Sequence, residues 1–543
     1  MEFLRLLRSE SAIDLRRLTG MAVIAGLSNA MVLAVINAAA SPSSHGTKAR
    51  LAVMFITVVI AWSISQRYMM YEASKEIERI IHRVRSRLTA AVRDSELVDV
   101  ERIGRTRIYN AISKEIQSLG QNTNTLVAVS QMSLLVVFAM LYLLVLSPVA
   151  FVIAMAFMSV AVSIYLGRLK AVNKAIADSI GAEFGLHELL EGILDGFKEV
   201  KLNATRSQQI SDDLLEASLD AAESRVTAQS ELVRNYVFTQ NVFFLLLATM
   251  VFVVPQITDI ANDTIVKLTT AILFVVSAIA GVVSSVPVFI NANASARNIL
   301  DLQRAMGAPP RLLSETTRVA VATPSFREIE VRDVTFGYGD QDNPGFRVGP
   351  FNITFKAGET VFISGGNGSG KSTFMRLFTS LYWPRDGYIA LDGQPVTRET
   401  VESYRALFTA VFSEYHLFKR LYGVSPDALA EIPDLLRLFE IEDKTQFIDG
   451  AFTTVSLSAG QRKRVALIVA LLERRPICVL DEWAADQDPL FRRKFYEDLL
   501  PMFKARGMTV IAVSHDDRYF DLADRRLHFE EGRVVTDTRK GDA

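Results

Sequence analysis

The stretch Thr360-Val361-Phe362-Ile363-Ser364-Gly365-Gly366-Asn367-Gly368-Ser369-Gly370-Lys371-Ser372-Thr373 decides the reading of the C-terminal half. An apolar run from Thr360 to Ser364 reads as a buried strand, and Thr373 to Thr379 reads as the first turns of a helix. Between them, Gly365 to Ser372 fit GxxxxGK[ST]. In that pattern glycines let successive backbone N–H groups turn toward phosphate oxygens, the lysine reaches the terminal phosphates, and the hydroxyl of Ser372 ligates Mg²⁺. The helix N-terminus that follows, with Thr373, adds its own preference for anions. Strand, glycine loop and helix in this order argue against a chance turn.

Further chemistry lies downstream in separated pieces. The apolar run Ile477 to Leu480 ends in Asp481-Glu482, a buried strand delivering two carboxylates to the edge where α/β sheets bind ligands. Asp481 is expected in the Mg²⁺ shell and Glu482 as the group that orients or deprotonates an attacking water. A second apolar run, Thr509 to Ser514, ends at His515, placed to sense a terminal phosphate.

Outward toward the N-terminus the composition changes near residue 300. The 543 residues predict two or more domains. Lys+Arg 59 against Asp+Glu 60 gives a net charge of -1, which lends no support to a nucleic-acid partner. A lone cysteine, Cys478, excludes an internal disulfide and reads as core filler. Met21 to Ala40, Leu51 to Ser65, Leu126 to Leu146, Val149 to Leu166, Val242 to Ile257 and Ile265 to Ile290 predict six membrane helices. Arg5, Arg8, Arg16 and Arg17 before the first, and Arg79, Arg83, Arg85, Arg87 and Arg93 after the second, place the N-terminus and both long loops on the cytoplasmic side, with Asp259 and Asp263 in a short outer turn. Lys48 and Arg50 run mildly against that rule. No cleavable signal peptide is expected, and residues 2 to 18 read either as an amphipathic helix on the inner membrane face or as a plain cap helix.

The loops 68–123 and 167–238 have helical apolar spacing, which predicts membrane helices continuing into the cytosol and turning near Val98 to Arg105 and Leu194 to Val200, where the tips meet the C-terminal domain. The expected organisation is an all-α domain over 1–305, a Pro/Ser/Thr-rich linker over 306–326, and an α/β domain over 327–543.

Leu457-Ser458-Ala459-Gly460-Gln461, with the phosphate loop, Asp481-Glu482 and His515, resembles the ATP-binding cassette transporters over nearly the whole chain. The resemblance implies a six-helix membrane domain with long cytoplasmic extensions (the type I exporter fold), an α/β nucleotide-binding domain, ATP and Mg²⁺ as ligands, and ATP hydrolysis coupled to transport. It further implies that Leu457 to Gln461 of one copy close over the ATP held by the other, so that a second copy of the chain is the expected partner, alongside membrane lipids and a cargo. Tyr338 stands where the family stacks adenine, with a core tyrosine beginning a sheet as the rival reading.

Two departures stand out. Ser413 occupies the place of the family's glutamine, with Glu414 beside it, so either completes the Mg²⁺ shell. Trp483-Ala484-Ala485-Asp486-Gln487-Asp488-Pro489 replaces the usual loop after the glutamate, making Asp486 and Asp488 the candidates for dimer contacts. DEWAADQDP, LSAGQRKR, VFSEYHLF and DGFKEVKLN together look like the bacterial cyclic-peptide exporters, which include syringomycin-type and pyoverdine-type exporters. That subgroup implies export of a peptide or peptide-derived product across the bacterial inner membrane. A lipid or multidrug exporter, a siderophore importer of exporter fold, and an ATP-dependent channel or regulator are the alternatives.

Overall fold

The computed structural model describes residues 2–10, 15–40, 45–121, 123–258, 262–306, 325–338 and 345–541; Asp259 and most of the expected linker, with Pro309, Pro310 and Pro324, lie outside them. The chain divides into two compact units, Met1–Ser95 with Ile103–Pro310, and Glu96–Arg102 with Arg311–Ala543.

The first unit is helical: α1 (Glu2–Glu10), α2 (Leu15–Ala40), α3 (His45–Asp94), the short α4 (Leu97–Ile103) that belongs almost entirely to the second unit, α5 (Thr123–Leu146), α6 (Pro148–Asp195), α7 (Phe197–Leu202), α8 (Ala204–Ala248), α9 (Asn262–Ser284) and α10 (Val286–Ala305). Five helices among the described residues, Thr47–Asp94, Val127–Leu146, Pro148–Asp195, Ala204–Ile257 and Asp263–Ala305, are long and apolar enough to cross a membrane. The first expected span forms as α2, whose apolar stretch Val23–Ala39 is shorter than those five.

At a rise of about 1.5 Å per residue, the 50 residues of α3 measure about 75 Å, against about 30 Å of hydrocarbon. The helix therefore continues well beyond any bilayer. The abrupt turn into α6 has a local cause. Ser147 accepts from Ala150 N at 3.3 Å and Pro148 supplies a preset first turn. The bundle core gathers Leu33, Leu143 and Leu246 with Ala139, Ala150 and Ala271, the alanines being small enough to let the backbones approach. Asn37 reads as an interhelical hydrogen bonder, and it donates to the Tyr142 hydroxyl at 3.3 Å and to Lys267 O at 3.2 Å.

The N-terminal segment differs from the single helix expected over 2 to 18. α1 ends at Glu10, and residues 15 to 18 already belong to α2. Within α1, Phe3 and Leu6 are buried, and Phe3 N donates to Asn293 of α10.

The second unit contains β1 (Glu328–Gly337), β2 (Arg347–Lys356), β3 (Thr360–Gly365), α11 (Lys371–Phe378), β4 (Asp386–Leu391), β5 (Phe408–Val411), α12 (Ile432–Leu438), α13 (Ala459–Leu472), β6 (Ile477–Asp481), α14 (Pro489–Lys494), β7 (Thr509–Val513), β8 (Arg525–Glu530) and β9 (Arg533–Arg539). The six-stranded sheet runs β9-β8-β3-β7-β6-β5, parallel except for its β9 edge. Every residue of β3, β6 and β7 is buried, as unbroken apolar runs require in a sheet covered on both faces. An antiparallel sheet, β2-β1-β4 with Gln394–Pro395 at its edge, packs beside it. One core joins Phe351, Phe355, Phe374, Phe378 and Phe529; the other joins Phe439, Phe452, Trp483, Phe491 and Phe503.

Glu96–Arg102 packs as part of this unit. Leu97 and Val98 lie against the first of these cores, and the Glu96 carboxylate pairs with Arg398 and Arg405. The second expected turn forms at Gly196 and α7, where Phe197 and Leu202 are exposed. Cys478 is buried, and burial pushes its thiol up to about 12, which leaves it inert filler.

Phe439→Ala is expected to cost about 3–5 kcal/mol, whereas Phe418→Ala, an exposed ring, should stay within about 0.5 kcal/mol. Thermal unfolding of the two full-length variants checks this: only the first should melt at a clearly lower temperature.

Candidate functional site

Strand register assembles the site. Val513 of β7 pairs with Ile363 of β3 on one side and with Asp481 of β6 on the other. The three strands therefore end together, and Gly365, Glu482 and His515, each one or two residues further on, share one edge. β5 ends level with them, since Val411 pairs with Leu480, and this brings up Ser413.

Gly365 has φ 145°, and a Cβ there would sit 2.2 Å from Phe529 O of the adjacent β8. Only glycine fits. Gly366, Asn367 and Gly368 form the exposed crest, and Gly370, at φ 95°, opens α11. Lys371 is buried and curls back over the loop, donating to Gly365 O at 2.8 Å and Gly366 O at 2.9 Å. Burial lowers its ammonium below the ordinary lysine range, while the Glu482 and Asp481 carboxylates pull it back up. Ser369 Oγ is buried without a partner among the described residues, an unspent polar group in a loop rich in N–H donors.

Asp481, almost fully buried, collects two hydroxyls: Ser372 Oγ at 3.4 Å on Oδ1 and Ser413 Oγ at 3.2 Å on Oδ2. Ser413, not Glu414, is the neighbour bonded to Asp481. The set is all hard oxygen, which fits a Mg²⁺-sized cation better than a soft metal.

Glu482 adopts a left-handed backbone, φ 51°, which costs a non-glycine residue about 1–3 kcal/mol unless the surroundings hold it. They do. Lys463 Nζ donates to Glu482 O at 2.8 Å and pairs with Asp486 Oδ2 at 2.8 Å, while Trp483 Nε1 donates to Lys463 O at 2.8 Å. His515 Nε2 lies 3.3 Å from Glu482 Oε1.

Ser458 and Gln461 answer each other across the start of α13. Ser458 Oγ accepts from Gln461 N at 3.4 Å and Gln461 Oε1 from Ser458 N at 3.1 Å, a capping box. The Ser458 hydroxyl proton stays available to an outside acceptor. Leu457 packs on the helical core, and Ala459 O accepts from the Tyr415 hydroxyl at 3.5 Å. A Cβ on Gly460 would lie 2.5 Å from Asp486 O, and Gln487 Nε2 donates to Gly460 O at 3.2 Å. The segment is thus held against the residues after Glu482. No hydrogen bond among the described residues joins it to Gly365–Thr373.

Asp486 and Asp488 are engaged within their own chain. Asp488 caps α14 through Leu490 N and Phe491 N and pairs with Arg464 at 2.6 Å; the Phe491 N–H above all holds its carboxyl below the usual range. Tyr338, just past β1, is half exposed, its ring perpendicular to those of Phe336 and Tyr382 and its hydroxyl 3.1 Å from Thr373 Oγ1.

Sequence reasoning passed over Lys463, Gln487 and Tyr382. The first had a visible signal, because Lys463 repeats with Leu467, Ala470 and Leu471 on the buried face of α13 although it stands in the charged run Arg462-Lys463-Arg464.

Residues 348–485 match the ABC transporter family. The chain is 34% identical over 483 residues to the ATP-binding protein SyrD of Pseudomonas syringae pv. syringae, an alignment covering 85% of this chain and 83% of that protein. It is 32% identical over 221 residues to an ATP-dependent lipid A-core flippase of Aliivibrio fischeri, covering 38% and 37%. It is 33% identical over 223 residues to the mycobactin import ATP-binding/permease protein IrtB of Mycolicibacterium thermoresistibile, again 38% and 37%.

Lys463→Met keeps the buried stem and removes the ammonium. ATP turnover should fall between about 10- and 100-fold while nucleotide binding persists, since the geometry at Glu482 loosens and the phosphate loop is untouched. Steady-state ATPase beside equilibrium ATP binding reads the two effects separately.

Proposed function

The chain belongs to the ABC transporter family, a multi-pass membrane protein whose cytoplasmic ATPase domain couples ATP hydrolysis to transport, and from that premise we propose that it exports a peptide-derived natural product across the bacterial inner membrane as a dimer of two identical copies. The likeness to SyrD carries this reading, because it runs through 85% of the chain and so through membrane and ATPase parts alike. The motifs after Glu482 and around Ser413 add to it. The partial likenesses to a lipid A-core flippase and to IrtB favour a lipid or a siderophore as second readings of the cargo.

In the proposed cycle ATP enters with its phosphates on Gly365–Thr373 and its adenine on the face of Tyr338. Ser372, Asp481 and Ser413 would hold Mg²⁺, which offsets phosphate charge when bound. Lys371 leaves the loop carbonyls for the phosphates. Glu482 accepts the proton of the attacking water, and His515, bonded to it, keeps it oriented. Ser458 and the N-terminus of α13 serve the ATP of the other copy, and the Asp486–Asp488 loop lies at the contact between copies.

Glu482→Gln should retain ATP binding, lose at least about 100-fold in turnover and accumulate as a closed dimer. Near-normal turnover would remove Glu482 as the base. The cargo is tested by ATPase stimulation in lipid across lipopeptides, siderophores and lipid A. Stimulation by lipid A alone would replace the peptide reading with the lipid one.

A further inference from the structure

Tyr382 lies at the centre of a polar chain that the phosphate chemistry does not use. Its ring is fully buried and stacks on Phe336, centroids 4.8 Å apart at 17°. Its hydroxyl has three partners: Glu101 Oε2 at 2.7 Å, Arg376 NH1 at 2.7 Å and the Tyr338 hydroxyl at 3.5 Å. Donor and acceptor counting fixes the direction of every proton. A carboxylate accepts only and a guanidinium donates only, so Tyr382 gives its one proton to Glu101 and receives from Arg376 and Tyr338. Tyr338 has then spent its proton on Tyr382, so the Thr373 hydroxyl donates to Tyr338. The order is Thr373 to Tyr338 to Tyr382 to Glu101. Burial and the bonds to Tyr338 and Glu101 raise the Tyr382 hydroxyl well above the ordinary tyrosine range, which keeps it a donor.

The geometry around Tyr338 gives this chain a purpose. Its ring meets Phe336 edge-on at 5.2 Å and 89° and Tyr382 at 5.9 Å and 84°, with the hydroxyl tethered at the far end. The ring is held perpendicular to both neighbours, tethered at its hydroxyl, and half exposed. A tethered aromatic with half its surface open is suited to stacking on a flat base. The clamp terminates on Glu101, which Arg376 also approaches at 3.6 Å, within the segment that leads from α3.

We propose that Tyr382 and Glu101 are positioning residues that hold the Tyr338 ring for the adenine, so that the seating of Glu96–Arg102 and the occupancy of the base slot set each other. The inference rests on Tyr338 being the adenine platform. Coupling of this kind is reciprocal: whatever seats Glu101 tightens ATP, and bound adenine tightens the seat of Glu101. Removing the Glu101 acceptor strands a buried hydroxyl and frees the ring to turn.

The test uses the full chain in lipid, with KM and kcat for MgATP beside inhibition by magnesium tripolyphosphate, which has the phosphates and no base. Tyr382→Phe and Glu101→Met, which removes the acceptor, should each raise the KM for ATP by about 5-fold or more with kcat unchanged, leave tripolyphosphate inhibition as it was, and show no further loss when combined. Tyr338→Ala supplies the control. If it leaves the KM for ATP unchanged, the adenine reading itself fails. If it raises that KM while Tyr382→Phe and Glu101→Met do not, the adenine reading stands and the clamp is overturned. Parallel weakening of ATP and tripolyphosphate in Tyr382→Phe, or additive losses in the double variant, would mark a general packing role and also overturn it.

Discussion

Everything at the candidate site depends on one pairing, the hydrogen-bonded alignment of Val513 with Ile363 and Asp481. A slip of one residue in any of these parallel strands would turn its whole set of side chains to the other face and carry its terminal residue out of reach. Because β3, β6 and β7 are buried throughout, such a slip would strand polar ends inside the core, and apolar burial thereby enforces chemical alignment. Lys371, Asp481, Glu482 and His515 meet because valines and isoleucines leave them no other register.

Around that edge the molecule keeps buried charge only where it is answered several times. Lys463 satisfies a carbonyl and a carboxylate, and its own carbonyl is taken by Trp483. Arg525, also buried, pairs with Asp537 at 2.6 Å and donates to Thr354 O at 2.5 Å. An uncompensated ion in such places would cost several kcal/mol, on the order of the stability of a whole domain. Lys371 is the exception, since it rests on two carbonyls of a loop shaped for anions and has its carboxylate neighbours only at longer range. A group so placed is ready to change partners.

Much of this was legible in the residues. Unbroken apolar runs announce buried strands and long helices directly, and Gly365 to Ser372 announces its turn because few other residues tolerate those backbone angles. The glycine breaks near 98–105 and 194–200 likewise foretold the turns that form at α4 and α7. What stayed hidden depends on contacts between distant segments. Lys463 sits in a charged run and reads as solvated, although the helical period betrays its buried face. Tyr382 looks like ordinary filler before Trp383-Pro384, since nothing local says that Glu101, 281 residues away, will take its proton. The contacts of α1 were hidden for the same reason: a short amphipathic helix fits a membrane surface or a protein groove equally well, and nothing local says that Asn293 will accept from Phe3 N.

The seven residues Glu96–Arg102 keep company with the ATPase rather than with the helices they interrupt. Their boundaries are marked by the loss of helix at Ser95 and Glu96 and by Gly104 at φ 86°. The seven residues therefore take their place from the ion pairs of Glu96 and the apolar contacts of Leu97 and Val98, and the chain gives up regular helix on either side of them.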